Sequence, residues 1–105
     1  MGTRCVIKVE GFDKAKVYKH WDGYPSATLP WLEEFNKDFE KHRSNDYSYK
    51  FAQLLRSSAF DADDFDLDDS RYTGWGVLGY HEKCGDCEYV YLLRKDGSVT
   101  YEELH

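Results

Sequence analysis

The chain is predicted to fold as one α+β domain, in which an antiparallel or mixed sheet of about five strands carries two helices on one face. Three observations predict this class. Apolar residues alternate with polar ones near both ends of the chain, as in strands, and recur at helical spacing in its middle. The length of 105 residues is that of a single domain, residues 1–105. The predicted order of elements is ββααβββ.

The first two strands are predicted from an alternating pattern that one turn interrupts. Residues 3–10 place three apolar side chains on one face, those of Cys5, Ile7 and Val9. Residues 15–21 continue the alternation, with Val17 on one face and His20 on the other. The glycine-containing turn between them predicts an antiparallel hairpin.

The middle of the chain predicts two helices. In the first, Thr28 is the expected N-cap, Pro30 suits the first turn, and the apolar spacing continues to about Arg43. A polar break at residues 44–46 ends this helix and caps the second. The inward side of the second helix is expected to consist of Tyr47, Phe51, Leu54, Leu55 and Ser58.

Three further strands complete the predicted sheet. A glycine-interrupted strand begins within residues 74–82. Residues 88–95 are apolar on both faces, which predicts a strand in the interior of the sheet. The Asp-Gly pair that follows is a strong hairpin signal, so residues 98–104 are expected to pair back with Tyr101 pointing inward.

Composition and charge argue against several classes of function. The net charge is −6 and the 14 Lys and Arg residues are scattered, which disfavours nucleic acid as a partner. No apolar run approaches the roughly 20 residues that span a bilayer, and the N-terminus has no signal-peptide core. We therefore expect no membrane partner, a cytoplasmic location, and a monomer or homodimer. Three cysteines, an odd count, argue against a secreted disulfide framework.

The segment His20–Pro25 concentrates reactive groups at a corner between strand and helix. An imidazole, a carboxylate and a phenol, from His20, Asp22 and Tyr24, form a candidate binding pocket. Arg4 lies at the edge of the first strand and could bind an anion, although such an arginine more often pairs with a carboxylate on a neighbouring strand. The competing interpretation is a turn in which Asp22 sets the backbone and Tyr24 packs, which leaves His20 unexplained.

A second cluster surrounds a predicted turn, where His81, Cys84 and Cys87 are spaced three residues apart. This spacing supports three interpretations: half of a zinc site, a reversible disulfide, or a hairpin turn that contains two cysteines. The fourth ligand of a zinc site would come from Cys5, His20 or His105. Apart from this zinc alternative, no cofactor is expected.

The acidic segment, residues 61–69, contains six aspartates. Its spacing imitates the start of a calcium-binding EF-hand loop, but Asp69 stands where that loop requires glycine, and Trp75 where it requires glutamate. The favoured interpretation is a solvated loop or a surface that attracts a basic partner.

Three segments, Gly2–Arg4, Tyr18–Pro25 and Gly85–Tyr91, resemble a family of small uncharacterised proteins of prokaryotes and their phages. Its members tend to have a Gly-Thr-Arg start, a His-x-Asp-Gly-Tyr-Pro segment and a late Gly-Asp-x-Glu-Tyr strand. The resemblance implies a grouping without a settled activity. It also implies that the His20 segment lies close to the strand from Glu88, for example on a neighbouring strand, which adds Glu88 to the candidate pocket. Family members usually have another residue at the position of Cys87.

The favoured function is a small binding domain, without catalysis, for a protein partner or a small ligand. No nucleophile elbow, phosphate-binding glycine loop or His-Glu-x-x-His motif is present, which favours binding over catalysis. One alternative is a small hydrolase or metal-dependent enzyme that uses His20 and Asp22. Another is an acidic protein that mimics nucleic acid and blocks a basic partner through residues 61–69.

Overall fold

The protein forms a five-stranded sheet with two helices on one face, described by a computed structural model for residues 3–20, 23–57 and 74–104. The elements, in chain order, are β1 (Arg4–Val9), β2 (Ala15–Lys19), α1 (Pro25–His42), α2 (Tyr47–Ser57), β3 (Trp75–Gly79), β4 (Cys87–Leu93) and β5 (Val99–Glu103). This confirms the predicted α+β class and the order ββααβββ. Trp21, Asp22, Ser58 and the acidic segment lie outside the described residues.

The strands lie in the order β3-β2-β1-β4-β5. The sheet is mixed, because β1 and β4 run parallel while the other three neighbouring pairs are antiparallel. The predicted hairpin of β1 and β2 is confirmed, with Val6 opposite Tyr18. The interior place of β4 is confirmed as well, since it lies between β1 and β5.

The core lies between the helices and one face of the sheet, here called the inner face. Cys5, Ile7 and Val9 point from β1 into this core, where Leu32 of α1 and Leu54 of α2 cover them, and all five are at most 1% exposed. Strand alternation places the intervening side chains on the opposite face, here called the outer face. No described helix is long and apolar enough to cross a membrane.

Helix α1 begins one turn before its predicted start. Pro25 occupies the first helical position, where its missing N–H costs nothing and its fixed φ already suits a helix. Tyr24 before it is extended, at φ −73° and ψ 152°, as the residue before a proline prefers. The prediction of Thr28 as N-cap is therefore wrong: Thr28 is buried within the helix and donates its N–H to the Tyr24 carbonyl at 3.0 Å.

Tyr101 points to the inner face, as predicted, but its ring is only partly covered. The ring lies 5.7 Å from that of the fully buried Tyr91, yet Tyr101 remains 48% exposed. The reason is that β5 is an edge strand, so only one neighbouring strand shields its side chains. The alternation of residues along a strand predicts the face to which a side chain points, but not how much of that side chain other residues cover.

Glu10, just after β1, stabilises the turn between β4 and β5 in a pH-dependent way. Its Oε1 accepts hydrogen bonds from the backbone N–H of Lys95 at 2.7 Å and from Nε of Arg94 at 3.3 Å. These interactions, led by the Lys95 hydrogen bond, hold the pKa of the Glu10 carboxyl below its usual 4.5.

A carboxyl with a lowered pKa stabilises the fold when it is ionised. We therefore expect Glu10→Gln to lower the free energy of unfolding near neutral pH. The difference from wild type should shrink as the pH falls below 4.5, because the wild-type carboxyl then loses its charge. Urea titrations at several pH values measure this difference, with Glu33→Gln on the exposed side of α1 as control. A difference that does not depend on pH would contradict the role of the ionised carboxylate.

Candidate functional site

Arg4 and His20 meet at the end of β1 and β2, as the candidate pocket requires. Arg4 Nε lies 3.3 Å from Nδ1 of His20, and the Tyr18 hydroxyl lies 3.0 Å from the same nitrogen. The guanidinium of Arg4 also forms an ion pair with Asp86, in the turn before β4. We call these four residues the Arg4–His20 cluster.

The hydrogen bonds of the Arg4–His20 cluster indicate which tautomer the neutral His20 ring adopts. Arginine Nε can only donate, so Nδ1 of His20 is the acceptor and the neutral ring carries its proton on Nε2. Nδ1 is thus engaged by Arg4 and Tyr18 and is not placed to take a proton from a substrate. Because Asp22 lies outside the described residues, its pairing with His20 and the enzymatic alternative stay predictions.

The other candidate pocket residues do not join this cluster. Tyr24 lies at the N-terminal boundary of α1 and is 40% exposed. Glu88 is exposed on β4, where its backbone carbonyl accepts the N–H of Leu104. Among the described residues, the carboxylate that pairs with Arg4 belongs to Asp86 and not to Glu88. Of the four predicted pocket residues that the structure describes, Arg4 and His20 therefore meet.

Strand β2, which ends just before His20, and strand β4, which contains Glu88, are close in space but are not neighbours. Both β2 and β4 pair with β1, which lies between them. The expectation of neighbouring strands is wrong in this respect. The link between the two regions is Arg4 on β1, which reaches His20 on one side and Asp86 on the other.

The corner after His20 is held by buried backbone contacts. Gly23 N–H donates to the Thr3 carbonyl at 2.8 Å, and the Tyr91 hydroxyl donates to the Gly23 carbonyl at 2.5 Å. Tyr91 is fully buried, and this burial raises the pKa of its hydroxyl well above the usual value. The phenol therefore remains a donor, and the glycine of the segment serves the packing of the corner.

The two cysteines of the predicted turn are joined as a disulfide, Cys84–Cys87. Cys5, the remaining cysteine, is a buried thiol on the inner face. Among the described residues, no group of three or more His, Cys, Asp and Glu side chains is arranged to hold a metal ion. A disulfide and a pair of zinc thiolates are alternative states of the same sulfurs, so the zinc site with His81 stays a prediction.

A concavity of about 440 Å³ lies on the outer face, above β1, β4 and β5. Val90 and Leu92 of β4 form its floor, and Tyr80 closes one side. Lys8 of β1 and Glu102 of β5 stand on opposite sides of this floor. We call this feature the outer-face concavity.

Lys8 lines the outer-face concavity, and Lys16 is its cross-strand neighbour on β2. They lie side by side on β1 and β2, an arrangement that costs stability when nothing neutralises it. Burial lowers the pKa of Lys16, Lys8 lowers it further, and Glu82 acts in the opposite direction. Lys8 Nζ lies 4.7 Å from the centre of the Tyr80 ring and forms no ion pair with the described residues.

Sequence reasoning missed most of these residues, although some signals were present. Tyr18 is two positions before His20, so strand alternation places both on one face. Val90 and Leu92 belong to residues 88–95, whose apolar side chains on both faces predict only an interior strand. Nothing in the sequence indicates that Asp86 would reach Arg4, because this contact depends on the parallel pairing of β1 and β4.

Comparisons of the chain with protein-family models, with curated proteins and with solved structures give no match.

Proposed function

We propose that the protein is a small binding domain whose outer-face concavity takes a small amphipathic anion. The ligand has an apolar body and an anionic group at one end. The observation that carries this proposal is the placement of Lys8, beside Lys16, at one side of an apolar floor.

The size of the concavity supports a small ligand. Its volume of about 440 Å³ falls within the range of small-molecule sites, roughly 300–1,000 Å³. Such sites combine an apolar lining with a few polar groups that fix the orientation of the ligand. Here the half-buried Val90 and Leu92 supply the apolar surface, and Tyr80 supplies an aromatic side.

The charges on the two sides of the floor indicate which chemical group each end of the ligand carries. β1 and β5 lie on either side of β4, so their backbones are separated by about 10 Å, twice the usual strand spacing. An anionic group next to Lys8 is attracted by the Lys8 ammonium group and lies away from the Glu102 carboxylate. The end near Glu102 is expected to carry a hydrogen-bond donor.

A groove of about 390 Å³ lies between the two helices, and it fits a charged ligand less well. Its charged residues are already paired: His42 lies 3.4 Å from Asp38, and Arg43 lies 2.9 Å from Asp46. A ligand there would have to compete with these partners. At the outer-face concavity, Lys8 has an aromatic neighbour in place of a carboxylate.

Anilinonaphthalene sulfonate tests this proposal, because it combines an aromatic body, a sulfonate and an N–H donor. We expect its fluorescence to rise on binding to the folded protein. Lys8→Met should weaken binding by about fivefold, or ~1 kcal/mol, through the loss of one partly exposed charge contact. Glu102→Gln should leave the affinity unchanged or increase it, because it removes a negative charge.

The matched control is Lys41→Met, which removes an equally charged but exposed side chain from α1. Circular dichroism verifies that each variant is folded, since loosened proteins also bind this dye. The proposal fails if Lys8→Met and Lys41→Met have the same effect on affinity, or if the folded wild type does not bind the dye.

A further inference from the structure

We propose that Cys84–Cys87 is a reversible disulfide that exchanges with external thiols, with Cys84 as the sulfur that an incoming thiolate attacks. The cysteines flank Gly85 and Asp86, and their Cα atoms lie 5.5 Å apart, within the normal range for a disulfide. This property is independent of ligand binding at the outer-face concavity.

The two sulfurs differ in their access to solvent. Cys87 is the first residue of β4 and is only 2% exposed, whereas Cys84 lies in the turn and is partly exposed. Thiol–disulfide exchange requires a thiolate to approach one sulfur while the other departs. The exposed sulfur is therefore the one attacked, and the buried sulfur is the leaving group.

The reaction balances without any further reagent. An external thiolate bonds to the Cys84 sulfur and breaks the Cys84–Cys87 bond, which leaves a mixed disulfide at Cys84 and a thiolate at Cys87. A second external thiolate attacks the external sulfur of the mixed disulfide and expels the Cys84 thiolate. The sum is one protein disulfide reduced to two thiols, and two external thiols oxidised to one disulfide.

The fold does not depend on this bond. The cysteines are separated by three positions, and a crosslink that closes so short a loop constrains the unfolded chain much less than a long one. The turn is also held by the ion pair of Asp86 with Arg4 and by the pairing of β4 with β1. We therefore expect reduction to leave the sheet intact, with the two thiols still close enough to form the bond again.

Single cysteine variants treated with glutathione disulfide test the proposal. Cys87→Ser should form a mixed disulfide at Cys84, detected as one added glutathione by mass spectrometry of the intact protein. Cys84→Ser should react at least tenfold more slowly in the folded state, and at a similar rate after denaturation in urea. Each variant also carries Cys5→Ser, so that only one thiol is present.

Wild-type protein completes the test. Its disulfide should be reduced by glutathione without denaturant, and it should form again when glutathione disulfide replaces the glutathione and is itself reduced to two thiols. Equal rates for the two folded single variants would overturn the assignment of Cys84. A disulfide that is reduced only after unfolding, or purified protein that holds one zinc ion per chain on these thiols, would overturn the proposal as a whole.

Discussion

Replacement of Glu40 by alanine is expected to destabilise the fold by about 3–5 kcal/mol, because it leaves a buried cation without its partner. Lys50 of α2 is fully buried, and its Nζ lies 2.7 Å from the Glu40 carboxylate on α1. Its other contacts are weaker: a backbone carbonyl at 3.5 Å and the Phe39 ring at 5.7 Å. Urea denaturation followed by circular dichroism measures the loss.

Two further variants distinguish the free-energy cost of leaving Lys50 unpaired from the net contribution of the ion pair to stability. The double variant Glu40→Met with Lys50→Met removes both charges and keeps apolar volume, so its stability should lie close to that of wild type. Asp38→Ala breaks the exposed contact with His42 and should cost less than about 1 kcal/mol. If Glu40→Ala costs no more than Asp38→Ala, Lys50 does not depend on its buried partner.

Gly23→Ala is expected to cost about 1–3 kcal/mol through overpacking at the corner after β2. A Cβ at this position would lie 2.8 Å from the Thr3 carbonyl oxygen and 2.9 Å from Cβ of Cys5. Both obstacles are rigid, since one is backbone and the other belongs to a fully buried residue. The corner must therefore shift, which also strains the hydrogen bond from Tyr91 to the Gly23 carbonyl.

Gly85→Ala is the matched control for this substitution. A Cβ at Gly85 meets nothing within 4 Å, so the variant should remain within about 0.5 kcal/mol of wild type. Thermal or urea denaturation measures the stability of the two variants relative to wild type. Equal stability of Gly23→Ala and wild type would show that the corner is loose and that Gly23 is required for something other than close packing.

The candidate site was partly predictable because its signals are local. Alternation along β1 and β2 is enough to place Arg4 near His20 once the two strands form a hairpin, and a hairpin needs only a short turn. The same alternation places Tyr18 beside His20. The resemblance adds Glu88 to the candidate pocket, whereas in the structure the carboxylate beside Arg4 is that of Asp86.

The wrong or incomplete predictions concern places where two local sequence signals point to different structures, or where the sequence has no local signal. Two prolines near the start of α1 both suit a first turn, and the sequence pattern favoured Pro30 because Thr28 resembles an N-cap. In the folded chain the helix begins at Pro25, and Thr28 is buried against the sheet. The exposure of Tyr101 depends on the edge position of β5, which no periodicity within the strand expresses.

The sequence by itself determined the class, the number and order of the elements, and the faces that turn to the core, because these follow from the spacing of apolar side chains along a few turns or strand residues. Only the tertiary structure decided that β1 lies at the centre, with β4 parallel to it. That pairing joins residues more than eighty positions apart, so it brings Asp86 to Arg4 and places Lys8 beside the floor formed by Val90 and Leu92. Contacts of this kind depend on how whole elements pack, and the pattern within any one element does not contain them.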